Sequence, residues 1–234
     1  MSGRQLGLPF AQESGYPEAD FLDGPSNAGA RAWLGAAWPG GRLALWGAEA
    51  SGKTHLLHIW ARRVGAAVLQ GPGLRAWQAP GGAVAVDDAD LAGDEGALLH
   101  LLNAAAEAGR PVLLAGREPP ARWEVPLPDL ASRLRATVAV QLGMPDEALL
   151  RRLLVRLLSE RQLVVPQAMQ DWMLVRLPRQ AGAIREAVAQ LDRAALASGG
   201  RVTRALAQAA VAFEAEPGSL TEDGPGSSAE ALLL

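Results

Sequence analysis

The chain has 234 residues, which is enough for one or two domains with a substantial hydrophobic core. It carries 22 basic and 25 acidic residues, so it has no overall basic field that would hold nucleic acid by itself. The absence of cysteine excludes disulfides, thiolate zinc sites and cysteine catalysis. No apolar run is long enough to span a bilayer and the N-terminus has no secretory apolar region, so a soluble cytoplasmic protein without a membrane partner is expected.

Strands and helices are predicted to alternate through the first two thirds of the chain. Short apolar runs predict five strands, at 42–46, 66–70, 83–87, 111–115 and 137–142. Helical periodicity predicts intervening helices at 27–38, 53–63 and 95–108. After residue 145 only helices are predicted, at 146–162, 167–177, 181–197 and 203–213. This alternation is typical of an α/β domain with a parallel sheet, followed by a small all-helical subdomain.

Four regions follow from this pattern. Residues 1–19 are polar and rich in glycine and proline, and predict a flexible arm. Residues 20–144 form the α/β region, and residues 145–213 form the helical subdomain. Residues 214–234 contain five acidic residues and no basic one, and predict a disordered acidic tail.

One segment carries a specific chemical motif. It matches G-x-x-x-x-G-K-[ST] at every fixed position and consists of Gly47, Ala48, Glu49, Ala50, Ser51, Gly52, Lys53 and Thr54. A predicted strand precedes it and a predicted helix follows it, which is the context of a phosphate-binding P-loop. Lys53 is the only lysine of the chain, and it is expected to reach the β- and γ-phosphates of a nucleotide, while Thr54 binds Mg²⁺.

A second half of the site is expected where the third strand ends. Asp87 is the candidate Mg²⁺ ligand, and Asp88 occupies the position of a water-activating carboxylate. Asp90 is expected to be solvated. His55 and His58 lie one helical turn apart after the P-loop, and structural roles are favoured over a metal pair because no third ligand is evident.

The order of these features resembles an AAA+ module, that is, a P-loop α/β domain with a five-stranded parallel sheet and flanking helices, followed by a small all-helical lid. Residues 21–30 (FLDGPSNAGA) resemble the nucleotide-base-contacting box of the bacterial replication initiator DnaA, and residues 127–134 (LPDLASRL) resemble its arginine-finger segment. That resemblance makes Arg133 the finger. The initiator's C-terminal helix-turn-helix domain is not found after the lid, so no direct sequence-specific DNA binding is expected.

The N-terminal arm looks like the short peptide with which bacterial proteins dock on the replicative sliding clamp. The matching residues are Gln5, Leu6, Leu8, Pro9 and Phe10. In that peptide the glutamine fills a polar pocket, the leucine and phenylalanine fill an apolar one, and the proline keeps the chain extended.

Together these features resemble the Hda (HdaA) family of regulatory inactivators of DnaA. The resemblance implies that ATP or ADP and Mg²⁺ are cofactors and that the sliding clamp (the polymerase β subunit) and DnaA are partners. It implies a negative regulator of replication initiation, whose arginine finger promotes hydrolysis of the initiator's ATP in trans. A homo-oligomer is left open.

Two positions depart from the family pattern. The fourth strand should deliver a polar sensor near the γ-phosphate, but Ala115 stands there, followed by Gly116. The third lid helix should carry a second sensor arginine, where this chain has Gly182, with Arg179 and Arg185 one turn to either side. Little or no intrinsic ATP hydrolysis is therefore expected.

Two other functions remain open at this point. The first is an autonomous AAA+ ATPase that acts in replication as an initiator-like remodelling or loading factor. The second is a clamp-tethered adaptor in which the P-loop has only a structural role.

Overall fold

The computed structural model describes residues 16–75, 81–198 and 202–215. These residues form two compact units. The first falls within Met1–Leu153 and Arg179–Ala181, and the second falls within Leu154–Pro178 and Gly182–Leu234.

A five-stranded parallel sheet forms the centre of the first unit. Its strands are β1 (Arg42–Trp46), β2 (Ala67–Gln70), β3 (Val84–Asp87), β4 (Val112–Gly116) and β5 (Val138–Gln141). Their order across the sheet is β2-β3-β4-β1-β5, and every neighbouring pair is parallel. The predicted sheet is confirmed, and each strand begins and ends within one residue of its predicted bounds.

Helices cover both faces of this sheet. They are α1 (Pro25–Leu34), α2 (Lys53–Val64), α3 (Glu95–Glu107) and α4 (Pro128–Arg135), and the first half of α5 (Glu147–Glu160) also belongs to this unit. Successive strand residues point to opposite faces, so Leu43 and Leu45 join the core formed with α1 and α2, whereas Ala44 joins the core formed with α3 and α4.

The two ends of α1 differ from the prediction of 27–38. Pro25 occupies the first turn, and Gly35 follows the last residue. The buried side chain of Asn27 accepts a hydrogen bond from the Gly24 amide (3.2 Å) and donates one to the Leu22 carbonyl (2.9 Å), which caps the helix. These capping groups, rather than apolar periodicity, determine where α1 begins and ends.

The second unit is entirely helical in its described part, as predicted. It contains the end of α5, α6 (Gln167–Arg176), α7 (Ala181–Ala197) and α8 (Arg204–Ala215). Its core is formed by apolar side chains such as Leu154, Met173, Ile184, Val188, Leu191 and Ala207. Helix α8 extends two residues into the segment predicted as the tail. None of the described helices is long and apolar enough to cross a membrane.

Candidate nucleotide-binding site

The P-loop connects β1 to α2, and its backbone needs glycine at both fixed positions of the motif. Gly47 has φ +152°, and a Cβ there would lie 2.3 Å from the Leu142 carbonyl oxygen. Gly52 has φ +102°, and a Cβ there would lie 3.2 Å from the ring of Phe21. Leu142 and Phe21 thus pack closely against the loop, which leads directly into the N-terminus of α2, where anions bind.

The ammonium group of Lys53 is held inside this loop. Its Nζ donates hydrogen bonds to the carbonyl oxygens of Gly47 (2.9 Å) and Ala48 (2.8 Å), and the residue is only 8% exposed. Burial lowers the pKa of Lys53, while the charge of nearby Asp87 opposes this change. A buried cation that is paired with neutral carbonyls is well suited to bind an anionic ligand.

The polar groups around Lys53 fit a phosphate with its magnesium ion. The Oγ atom of Ser51 is buried and has no hydrogen-bond partner in the described part of the chain, so it is free to donate to a phosphate oxygen.

Thr54 is half-buried, and Asp87 is 4% exposed at the end of β3. The described residues contain no cluster of three or more His, Asp or Glu that would hold a metal ion alone. Mg²⁺ needs only one or two protein ligands when phosphates and water complete its shell, so Thr54 and Asp87 suit it.

Asp88 lies in a strained and electrostatically unfavourable position directly after β3. Its φ is +47°, in the left-handed region. Burial raises the pKa of Asp88, the charges of Asp87 and Asp90 raise it further, and Arg117 and Lys53 act in the opposite direction. Strain and a raised pKa at one carboxylate are typical of functional positions. The structure thus brings Asp88 into the same electrostatic environment as Lys53.

The prediction that Asp90 is solvated is wrong. Its Oδ2 accepts a hydrogen bond from the backbone amide of Arg117 (2.7 Å), and its Oδ1 is buried without a partner among the described residues. A Cβ on Gly116 would lie 3.1 Å from Asp90 Cγ, so the carboxylate packs directly against the end of β4. Asp90 and Arg117 are the two polar residues of the site that sequence reasoning missed.

The fourth strand offers no side chain to the site at the predicted sensor position. Ala115 is fully buried in the core on the α2 side of the sheet. At the predicted second sensor, Gly182 lies in the first turn of α7, Arg179 is exposed and Arg185 is half-buried. A Cβ on Gly182 would meet nothing within 4 Å, so packing does not explain the glycine.

Arg133 lies near the amino-terminal ends of the strands, whereas the P-loop follows the carboxyl-terminal end of β1. It belongs to the last turn of α4, and its carbonyl accepts a hydrogen bond from Thr137 Oγ1 (2.9 Å), just before β5. Burial lowers the pKa of Arg42, and the charge of nearby Arg133 lowers it further. Because Arg42 is the first residue of β1 and the P-loop follows the last, Arg133 is separated from this chain's own P-loop by the length of the strand.

The two histidines of α2 anchor the end of the predicted arm. His55 Nε2 is 2.9 Å from the carbonyl oxygen of Pro17, and its ring has edge-to-face contacts with Tyr16 and Phe21. Tyr16 also stacks on His58, with ring centroids 4.4 Å apart. Both histidines therefore have structural roles, and the folded module begins by Tyr16 rather than at residue 20. The clamp-peptide residues Gln5, Leu6, Leu8, Pro9 and Phe10 lie outside the described residues.

Comparison with known structures identifies the fold. No family model matches the chain. Domain III of the replication initiation protein DnaA from Thermotoga maritima is similar, with a TM-score of 0.69 and 20% identity over 86% of this chain and 98% of that one. The chain has the AAA+ fold of DnaA domain III.

Two longer chains have the same architecture. AMPPCP-bound DnaA from Aquifex aeolicus gives a TM-score of 0.58 with 16% identity, over 79% of this chain and 66% of that one. The Thermotoga maritima RuvB Holliday junction branch migration motor gives 0.60 with 18% identity, over 81% of this chain and 69% of that one. The chain thus spans about two thirds of each of these longer proteins.

Proposed function

We propose that this chain is an AAA+ nucleotide-binding protein that acts in DNA replication. Three features support the binding of a nucleotide polyphosphate: the P-loop at the N-terminus of α2, the buried ammonium of Lys53 and the Oγ of Ser51, which has no partner among the described residues. The carboxylate of Asp87 and the hydroxyl of Thr54 would hold Mg²⁺ beside it. The likeness to DnaA domain III, and to a DnaA bound to AMPPCP, supports an adenine nucleotide, ATP or ADP.

We further propose that the protein acts on ATP bound to another protein, the initiator DnaA. One observation carries this proposal. Arg133 lies near Arg42, at the amino-terminal end of β1, whereas Lys53 and Asp88 lie beyond the carboxyl-terminal ends of the strands. An arginine in that position is remote from its own nucleotide but available to a neighbouring molecule. Supplied in trans, its guanidinium would neutralise the charge that develops on the transferred phosphoryl group of the initiator's ATP.

The sliding clamp is the proposed place of action. Residues Gln5, Leu6, Leu8, Pro9 and Phe10 form the docking peptide, and the module begins by Tyr16. The six residue steps from Phe10 to Tyr16 reach at most about 20 Å. Such a short tether keeps the module beside the clamp and raises its local concentration there. This arrangement favours regulation after clamp loading, which would prevent a second initiation.

The test is a hydrolysis assay on ATP-loaded DnaA with this protein, in the presence and absence of DNA-loaded clamp. We expect the initiator's ATP to be hydrolysed when all three components are present, and much more slowly when clamp or this protein is omitted. Clamp binding without any effect on the initiator's ATP would refute the regulatory role and favour an adaptor.

An autonomous ATPase is the second candidate, because one observation favours it. Asp88 lies within the electrostatic reach of both Lys53 and Arg117, so a carboxylate and two cations surround the same site. In this case the purified protein would hydrolyse ATP by itself, and DNA would stimulate the reaction. A turnover assay with and without DNA, but without initiator or clamp, distinguishes the two functions.

A further inference from the structure

Sheet topology places Arg117 between the two halves of the nucleotide site. Strand β4 lies between β1, which leads into the P-loop, and β3, which ends at Asp87. Arg117 is the first residue after β4, at the edge where parallel strands end. A side chain at this point therefore faces the gap between the phosphate-binding loop and the carboxylates.

The backbone at this point is held in place. The amide of Arg117 donates a 2.7 Å hydrogen bond to Asp90 Oδ2. The preceding Gly116 is packed so closely that a Cβ there would lie 2.7 Å from the ring of Trp123. The backbone of residues 116 and 117 is thus held by Trp123 and Asp90, which fixes the point from which the side chain of Arg117 extends.

The guanidinium of Arg117 is directed toward the P-loop. Its Nη2 is 3.9 Å from Oε2 of Glu49, the third residue of the motif. Its charge also lowers the pKa of Lys53 and that of Asp88, which places it within electrostatic reach of both. The guanidinium therefore lies near both the P-loop and the carboxylates that follow β3.

The ion pair between Arg117 and Glu49 is easily replaced. The two side chains are 60% and 81% exposed, and such a pair contributes about 0–1 kcal/mol. A phosphate, by contrast, offers a guanidinium two parallel charge-assisted hydrogen bonds and a larger negative charge. A phosphate group that enters this space would displace the carboxylate of Glu49 from Arg117.

We propose that Arg117 contacts the terminal phosphate of a bound nucleoside triphosphate, in exchange for Glu49, and so makes the site prefer triphosphate over diphosphate. This inference rests on the proposed nucleotide binding. Arg117 would thus supply, at the end of β4, a cationic group that binds the third phosphate, whereas Ala115 has no polar group to do so. The carboxylate of Glu49 opposes this contact. It pairs with the guanidinium of Arg117 when no third phosphate is bound, so the phosphate must displace it.

Calorimetric titration with Mg²⁺–AMPPCP and with Mg²⁺–ADP tests this role. We expect Arg117→Ala to weaken AMPPCP binding about tenfold and ADP binding by less than about twofold, since only the third phosphate loses a charge-assisted bond. Glu49→Gln should have the opposite effect and strengthen AMPPCP binding selectively. The control is Arg122→Ala, which removes an equal charge from the same loop, where Arg122 pairs with Glu118 at 3.5 Å.

The outcomes separate this inference from the proposed function. An unchanged affinity for AMPPCP in Arg117→Ala, or an equal loss for both nucleotides, overturns the role of Arg117. A loss of the same size in Arg122→Ala also overturns it, because net charge alone would then be the cause. If the unmodified protein binds neither nucleotide, nucleotide binding itself is refuted. If Lys53→Ala binds both as tightly as the unmodified protein, the P-loop is not the binding site.

Discussion

Arg133→Ala is the substitution that most directly tests action in trans. Arg133 lies on α4 beside Arg42, at the beginning of β1, whereas the P-loop begins after Trp46. The substitution removes a half-buried guanidinium and leaves the apolar residues of α4, Leu130 and Leu134, in the core. We therefore expect the fold to be retained while stimulation of the initiator's hydrolysis is lost.

The expected size of both effects follows from distance. The five residues of β1 span about 13 Å, so two unit charges at its ends interact through screened solvent by less than about 0.1 kcal/mol. Arg133→Ala should thus change this protein's own nucleotide affinity by less than about a fifth. An arginine that reaches a transferring phosphoryl group contributes about 10³-fold or more in rate. Stimulation of the initiator should fall by about that factor.

The assay measures hydrolysis of the ATP bound to DnaA, in the presence of the variant and DNA-loaded clamp. The nucleotide affinity of the isolated variant is measured in parallel. Arg135→Ala is the matched control, because Arg135 is exposed in the same last turn of α4. Arg133→Lys should also fail, since lysine lacks the planar fork that spans two oxygens. Full stimulation by Arg133→Ala would refute the assignment. If Arg135→Ala then abolished stimulation, Arg135 would be the finger.

Three other predictions concern nucleotide binding, clamp docking and stability. Lys53→Ala should weaken nucleotide binding about 100-fold in a calorimetric titration, because the ammonium can no longer donate charge-assisted hydrogen bonds to the phosphates, and undiminished binding would contradict the site. Alanine at Gln5, Leu8 and Phe10 together should abolish clamp capture in a pull-down without a measurable change in Tm, and retained capture would exclude this peptide. Asp88→Asn should raise Tm at pH 7, because a raised pKa in the folded state means that the ionised carboxylate destabilises the fold, and asparagine tolerates the left-handed backbone. This gain should shrink as the pH falls through the raised pKa and vanish below the ordinary aspartate pKa of 3.8, where the carboxylate is protonated in both states. A gain that is constant with pH would refute the electrostatic explanation.

The sheet and the P-loop could be predicted because their signals are local. Apolar runs of four to six residues bounded by glycine or polar residues identify each strand, and the motif includes its own strand–turn–helix context. Helix α4 was not predicted as an element, although its segment was singled out. It has eight residues, of which only Leu130 and Leu134 are buried, so its apolar periodicity consists of a single i, i+4 pair. A helix this short is stabilised by its tertiary contacts rather than by its own sequence.

The beginning of the folded module was placed too late for a similar reason. Tyr16 and Pro17 are part of a segment that is rich in polar residues and glycine, and nothing local indicates a folded structure. Their partners, His55 and His58, are about forty positions away on α2. Only the three-dimensional structure shows that these four residues contact one another.

Asp90 and Arg117 show the limit of reading a site from consecutive residues. Each follows a strand, β3 or β4; Asp90 was considered only with its neighbours in the sequence, and Arg117 was not singled out. They are 27 positions apart, and the order β3-β4-β1 makes them adjacent, so that one carboxylate holds the backbone that carries the guanidinium. Parallel strands end at one edge of a sheet, so every polar residue that directly follows a strand is a candidate for the same site. Applied across all five strands, this rule selects Arg117 from the sequence, while the hydrogen bond from its amide to Asp90 depends on a turn geometry that composition does not encode.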